Sequence, residues 1–577
     1  MSYFLPADEA VLTAGRGLAL THPGIALSVE PLYLLARRPA PERRVALVAG
    51  GGAGHEPLHA GLLGPGGLDA VVPGAVFTSP GSAQIAAASL AAADLGGRGE
   101  VLHIVKNYTG DRINFALAAE QIRAAGIEVA EVVVDDDLAT DGTAAGRRGT
   151  GATVVVEKLL GALADRGAGL DALAELGGRI ALASRSLAVC ARAHTSPVLK
   201  SPAFHLRPDE LDYGVGIHGE RAAHTVTGPH GVELLVARMT GELLADVPAG
   251  PHGVIAVVSN LGSTSDLEIR IVSALVHQQL RARGIAVHAL AAGTYVTALD
   301  MAGFSITLTA LEPGWAELWD APTDTPLRLP GAAAARACEV TPPAPAPVTG
   351  GFPGRAATDP AGPGGGFLGE LHRICALTHT DLTELDQASG DGDFGDNFCG
   401  GVAAAVRLVE RSGVPGANAL AETFRDRVGG SSGPLFGILF TALATTADRA
   451  PADLPAIAAA LRQALLRITA LGGAVPGDRT LVDALAPAAD TLELTPTADP
   501  GRTVTAAARA AIEGAGATAA LTARRGRASY TGDRSRGLPD PGAVAVALVL
   551  TALARTHEPA LAGELPALRA ITRGDTR

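Results

Sequence analysis

An α/β region of two lobes, then an all-α helical barrel of about eight helices, is the architecture expected for this chain of 577 residues. Three observations lead there. Short β-type runs that end in glycine or polar loops alternate with alanine-rich helical stretches over the first 335 residues, the pattern of α/β layers with a largely parallel sheet. The stretch from Val340 to Gly366, rich in Pro and Gly, has no hydrophobic period and reads as a semi-extended linker. Beyond it, apolar residues recur only at three-to-four spacing. The expected domains are 1–335 (lobes about 1–185 and 186–335), a linker over 336–366 and a helical domain over 367–577. A chain this long exceeds what one core supports.

Taken in order, RVALVAGGGAGHEP is a strand, about Val45 to Val48, running into a glycine loop. VLHIVKNYTGDRINF is a strand, Val101 to Lys106, ending in a polar turn. EVAEVVVDDD, GVIAVVSNLGSTS and SITLTALE repeat the pattern, and a lobe boundary is expected near Arg179 to Ser201. After the linker, segments such as GGVAAAVRLVERS, LPAIAAALRQALLRITAL and GAVAVALVLTALAR are helices parted by Gly and Pro. With aromatics at 3 %, the cores must be built from Ala, Leu and Val.

The net charge of -13 is spread along the chain, which disfavours nucleic acid as a partner. Four cysteines without a CxxC suggest neither a zinc site nor a disulfide framework. The opening MSYFLPADEA has no signal-peptide pattern, and AVAVALVLTALA is too short to span a bilayer. A cytoplasmic protein without a membrane partner is expected.

In the first half the glycines at Gly52 and Gly54, with Ala53 between them, let a small ligand approach the backbone beside His55. Lys106 and Asp111 stand on a second strand-end loop, and His218 lies among glycines in GVGIHGE. Two histidines, a lysine and an aspartate on such loops suit a small polyhydroxylated substrate. One imidazole could be a general base oriented by a carboxylate, the other a nucleophile at a carbonyl. Each histidine alone fits a loop histidine without chemistry equally well.

In the second half LDQASGDGDFGDN, from Leu385 to Asn397, gathers Asp386, Asp391 and Asp393 among glycines. Carboxylates converging this way suit a hard divalent cation, and Mg2+ shares its shell with phosphate oxygens; an acidic solvated turn has the same composition. VGGSSGPLFG offers Ser431, Ser432 and backbone N–H groups before a helix, either as an anion site or as a helix cap. No GxxxxGK[ST] occurs, since Lys106, Lys158 and Lys200 are the only lysines.

GGGAGHEP, KNYTGDRINF, GIHGE, NLGSTS and GTYVTALDMAGFSITL resemble the substrate half of dihydroxyacetone kinases. LDQASGDGDFGDN, GGSSGPLFG, GGAVPGDRTLVDAL and GRASYTGDRS…DPGA resemble their helical nucleotide-binding half, in the same order over nearly the whole chain. The resemblance implies an ATP-dependent kinase acting on a terminal hydroxyl of dihydroxyacetone, or alternatively of erythrulose or glyceraldehyde. It implies that His218 captures the ketone as a covalent hemiaminal and that His55, assisted by Asp111, takes the hydroxyl proton. Gly52, Ala53, Gly54, His55, Lys106 and Asp111 would hold the substrate. Asp386, Asp391 and Asp393 would ligate Mg2+. Phe394, Gly395, Asp396, Asn397, Ser431, Ser432, Gly472, Leu481, Arg527, Asp540, Pro541 and Gly542 would line the ATP site. A homodimer that exchanges its helical domains is implied as well. The family usually has serine at Ala53, proline at Arg221 and histidine at Leu538; the first two flank the substrate pocket and bear on which ketose is taken. A phosphotransferase-system enzyme, a regulatory binding module and a lyase that forms cyclic FMN from FAD are the competing readings.

Overall fold

The computed structural model describes residues 5, 9–95, 97–143, 146–197, 199–222, 224–227, 231–247, 250–331, 366–389, 392–428, 431–444, 446–447, 453–494, 500–524 and 536–573. The chain divides into two compact units, Met1–Thr341 and Pro342–Arg577. Most of the expected linker lies outside the described residues.

The first unit holds two six-stranded sheets. Strands β1 (Ile25–Val29), β2 (Leu32–Ala36), β3 (Val45–Ala53), β4 (Ala70–Val76), β5 (Glu100–Lys106) and β6 (Glu128–Val134) form the first, in the order β1-β2-β4-β3-β5-β6. Its centre, β4-β3-β5-β6, is parallel, with the β1–β2 hairpin antiparallel at the edge. β3 shows why. Val45 to Ala49 are all fully buried, because helices cover both faces of the sheet. Val45, Leu47 and Ala49 point to one core, and Ala46 and Val48 to the other.

The second sheet, in the order β11-β10-β12-β7-β8-β9, comprises β7 (Ser184–Arg192), β8 (Glu210–Tyr213), β9 (His224–Thr227), β10 (Val254–Asn260), β11 (Val287–Gly293) and β12 (Ala302–Ala310). Only β10 and β11 run parallel; the other pairings are antiparallel. The expectation of a largely parallel sheet therefore fails for this lobe. Among the described residues the connections β7–β8, β8–β9 and β11–β12 contain no α-helix, whereas a parallel return needs a long crossover.

The helix Ala152–Ala164 joins the lobes. Its residues, apolar nearly all round, are almost all buried, in a core shared by β3, β5 and β6 of one sheet and by β10 and β11 of the other. Helices Ser82–Leu95 and Thr109–Ala124 cover the far face of the first sheet. Helices Val232–Asp246 and Asp266–Ala282 cover that of the second.

Among the described residues the second unit contains eight helices of eleven residues or more: Gly366–Ser389, Phe394–Ser412, Gly416–Asp426, Ser432–Leu443, Leu454–Gly472, Val482–Leu494, Pro500–Ala517 and Pro541–His557. A short turn, Leu568–Thr572, follows. Pro541–His557 is buried along nearly its whole length. Leu454–Gly472 is long and apolar enough to cross a bilayer, yet Ile457, Leu461, Ala464 and Ile468 turn one face of it into the core. In a chain poor in aromatics, six of the twelve phenylalanines (Phe367, Phe394, Phe398, Phe424, Phe436 and Phe440) meet in this core.

His103 of β5 is wholly buried, its Nε2 3.0 Å from Ser89 Oγ and its ring against Phe115. Burial, then the charge of Arg123, lowers its pKa to about 3. The unfolded chain titrates this histidine near 6.5, so between those values it binds the extra proton and folding weakens as pH falls. Replacing His103 with Met should flatten the acid side of the urea-midpoint curve, removing up to about 1.4 kcal/mol per pH unit. Equal slopes for the two proteins between pH 6 and 4 would refute this.

Candidate active site

The glycine run belongs to β3 itself, which continues to Ala53 instead of ending near Val48. Neighbouring atoms leave no room for side chains there. A Cβ on Gly50 would lie 2.5 Å from Val72 O, one on Gly51 2.4 Å from Lys106 Nζ, and one on Gly52 2.6 Å from Thr78 N. Gly54 has φ 103°, and a Cβ there would meet the Phe77 ring at 2.7 Å. The connection from β11 to β12 docks on this strand end. Leu299 N donates to Gly54 O at 2.9 Å, and Thr297 Oγ1 donates to Gly54 O and Glu56 O at 3.1 and 3.0 Å.

His55 sits at this junction, 1 % exposed. Its Nδ1 lies 2.8 Å from the carbonyl oxygen of Thr297. A carbonyl only accepts, so Nδ1 carries the proton and Nε2 keeps its lone pair; that buried nitrogen has no protein partner. Burial, then the neighbouring His218 and Lys106, hold the ring's pKa well below the usual histidine range. The group that orients this imidazole is thus a backbone carbonyl, where a carboxylate was expected.

The carboxylate orients the other imidazole. His218 faces His55 edge-on with centroids 4.7 Å apart, and packs against Phe77 and Tyr108. Glu220 Oε1 accepts from His218 Nδ1 at 3.1 Å and Glu220 Oε2 from the His218 backbone N–H at 3.0 Å. His218 Nε2 is thereby left as the free nitrogen. Burial raises the Glu220 pKa, but the bond and charge of His218, helped by Arg148, outweigh it and bring the group down to about 2. Arg148 is itself held by Asp137 and by the carbonyl of Gly214.

Asp111 stands in the first turn of helix Thr109–Ala124, 3 % exposed, with Oδ1 buried and unpartnered. Such an oxygen is a ready acceptor for a substrate hydroxyl. Lys106 closes β5 and points inward, its Nζ 2.7 Å from His59 Nε2. His55, His218, Lys106 and Asp111 therefore lie around the end of the glycine strand, as their motifs suggest. Glu220, Thr297, Phe77 and Tyr108 were not singled out. Glu220 stood inside GIHGE, two residues from the histidine, and Thr297 inside GTYVTALDMAGFSITL; what the motif does not show of Thr297 is its contacts with residues about 240 positions away.

In the helical unit Asp386 is buried, and its Oδ2 accepts from Gly392 N and Phe394 N at 2.9 and 3.1 Å, which folds the acidic loop back on the helix Gly366–Ser389. Asp393 is the exposed N-cap of helix Phe394–Ser412. Asp540 caps Pro541–His557 by accepting from Ala543 N at 2.8 Å. Burial first, and the nearby Asp483 and Asp386, push its pKa up to about 6. Leu481 adjoins Gly542, and Asp483 caps the turn at 477–480. Asp386 with Gly392 and Phe394, the 540–542 segment and Leu481 thus converge. The Phe394 ring instead packs into the aromatic core, Asp396 bonds His379 at 2.7 Å, and Asn397 follows in the same helix. Gly395 is packed so tightly on Thr383 that no side chain fits. Ser431 is the exposed N-cap of Ser432–Leu443, and Gly472 ends Leu454–Gly472.

Asp391 and Arg527 lie outside the described residues. Among those described, no three His, Cys, Asp or Glu side chains form a metal cage. The donor set still fits Mg2+. Buried Asp386 and half-buried Asp540 stand near exposed Asp393, all with the oxygen ligands a hard cation takes.

The family model of the Dak1 domain matches residues 16–327, and that of the DAK2 domain matches residues 388–555. Triokinase/FMN cyclase of Homo sapiens is 39 % identical over 535 residues, 88 % of this chain and 91 % of that protein. L-erythrulose 1-kinase of Mycolicibacterium smegmatis is 34 % identical over 569 residues, 95 % and 97 %. The crystal structure of the dihydroxyacetone kinase from C. freundii in complex with AMP-PNP and Mg2+ matches with a TM-score of 0.59 at 30 % identity, covering 96 % of this chain and 99 % of that one.

The hydrogen bond to Thr297 fixes a tautomer that spectroscopy can read. In 15N-labelled protein at neutral pH, His55 should show a protonated Nδ1 and a bare Nε2; a proton on Nε2 would contradict the geometry.

Proposed function

This chain belongs to the dihydroxyacetone kinase family, with its Dak1 and DAK2 domains fused, and on that premise we propose that it transfers the γ-phosphoryl group of ATP to a terminal hydroxyl of dihydroxyacetone. The observation that carries the reading is the pair of facing imidazoles, each with Nδ1 committed to an acceptor and Nε2 free. Two such nitrogens can divide the work of nucleophile and base.

His218 Nε2 attacks the ketone carbon, and the π electrons pass to oxygen, which takes a proton from solvent. The ring becomes positive with its proton still on Nδ1, and ionised Glu220, accepting that Nδ1–H, balances the charge. A polyol offers no carbonyl and is not captured. His55 Nε2 then accepts the proton of the terminal hydroxyl as that oxygen attacks the γ-phosphorus, the bond to the bridging oxygen breaks and ADP leaves, with Asp111 Oδ1 directing the hydroxyl. Asp386, Asp391 and Asp393 would hold Mg2+, which neutralises phosphate charge. Leu481 and Asp540 to Gly542 would border the nucleotide. A four-carbon ketose is the second reading, favoured by the likeness to L-erythrulose 1-kinase over 95 % of the chain.

With Mg-ATP, kcat/KM should be highest for dihydroxyacetone in a panel with D- and L-erythrulose, D-glyceraldehyde and glycerol. A higher value for an erythrulose selects the second reading. Turnover should disappear in His218→Ala and fall about 10²- to 10³-fold in Asp386→Asn. Glycerol phosphorylated as fast as the ketones would defeat covalent capture.

The same reading has two copies exchanging helical domains. Light scattering of the active enzyme should return twice the chain mass of 58.0 kDa; a fully active single copy would remove the exchange.

A further inference from the structure

Behind the glycine strand lies a buried chain of three ionisable groups, of which His59 and Glu157 have no part in the reaction above. Lys106 Nζ is 2.7 Å from His59 Nε2, and His59 Nδ1 is 2.5 Å from Glu157 Oε1. All three side chains are buried. Glu157 belongs to the helix packed between the sheets, and its second oxygen is buried without a partner. A carboxylate held there by one bond weakens a core that an apolar residue would fill better. Its retention calls for a task.

An ammonium only donates, so His59 Nε2 accepts from Lys106 and His59 Nδ1–H donates to Glu157. Burial pushes the Glu157 carboxyl well above the usual carboxylate range and the charge of Lys106 opposes this, so the geometry links the charge states of the two groups through the imidazole. Lys106 Nζ lies directly under Gly51, where any Cβ would strike it at 2.4 Å. It is faced also by Asp111 of helix Thr109–Ala124 and by Glu56 and His55 of the segment after β3. Burial lowers its pKa, while Asp111, Glu157 and Glu56 oppose the loss of the proton. A charged Lys106 in turn adds to the burial and to the His218 charge that lower the His55 pKa.

We propose that Glu157 and His59 are positioning residues for the phosphoryl-transfer site, acting together to fix Lys106 as an ammonium beneath the glycine strand, beside the base His55. This rests on the ketose-kinase reading above.

The test uses the full chain labelled with 13Cε-lysine. Three lysines, Lys106, Lys158 and Lys200, give three signals, assignable by Lys→Arg replacement. In Glu157→Gln the titration midpoint of Lys106 should fall by about one pH unit or more. kcat should fall about tenfold, while the melting temperature holds or rises, because a buried charge is gone. A purely structural Glu157 would instead lower the melting temperature and leave the Lys106 midpoint in place; that result overturns the proposal, as does a Lys106 that is already neutral at pH 7 in the parent chain. If no short ketose is turned over, the kinase reading fails, and the Lys106 midpoint still decides the linkage. Should Glu157→Gln not fold, His59→Gln must lower the same midpoint, and an unchanged one refutes the linkage.

Discussion

The hydrogen bonds from Thr297 and Leu299 to the end of the glycine strand hold the candidate site in register. His55 comes from the first sheet's lobe and His218 from the second, so neither lobe alone carries both imidazoles. The same backbone stretch that ties the lobes together also accepts the Nδ1 proton of His55. One contact therefore sets both the distance between the rings and the tautomer of one of them. It works because β3 ends in residues without side chains, which lets a loop and a lysine approach the backbone from different sides.

The two units handle charge in opposite ways. Around His55 the groups are basic, and burial lowers the pKa of His55, His59 and Lys106 alike, with counter-charges supplied by Glu220, Asp111 and Glu157. In the helical unit carboxylates gather, and Asp540 titrates near 6 because it is buried near two others.

Much of this was legible in the sequence, and the failures have physical causes. Helices of the second unit show their period because each buries one stripe against its neighbours. The β3 strand was cut short at Val48 because glycine disfavours strands in general, and only the crowding of Val72, Lys106 and Thr78 makes it obligatory here. The second sheet looked parallel because its runs alternate with helices; nothing local records that β12 returns between β10 and β7. That His55, His218, Lys106 and Asp111 stand on loops or strand ends was readable because each lies in a compact motif. Thr297 was not, since its partners are distant in sequence, and neither was Glu157, which looks like one charge in an ordinary helix.

The helix Ala152–Ala164 lies in one continuous core with strands of both sheets. Severing the chain between β6 and β7 would therefore strip apolar cover from two sheets at once, and neither fragment could hide what it lost. Two sheets do not here mean two independently evolving modules: a bulkier side chain anywhere along that shared spine displaces both walls, so sequence drift in one lobe is answerable to the other.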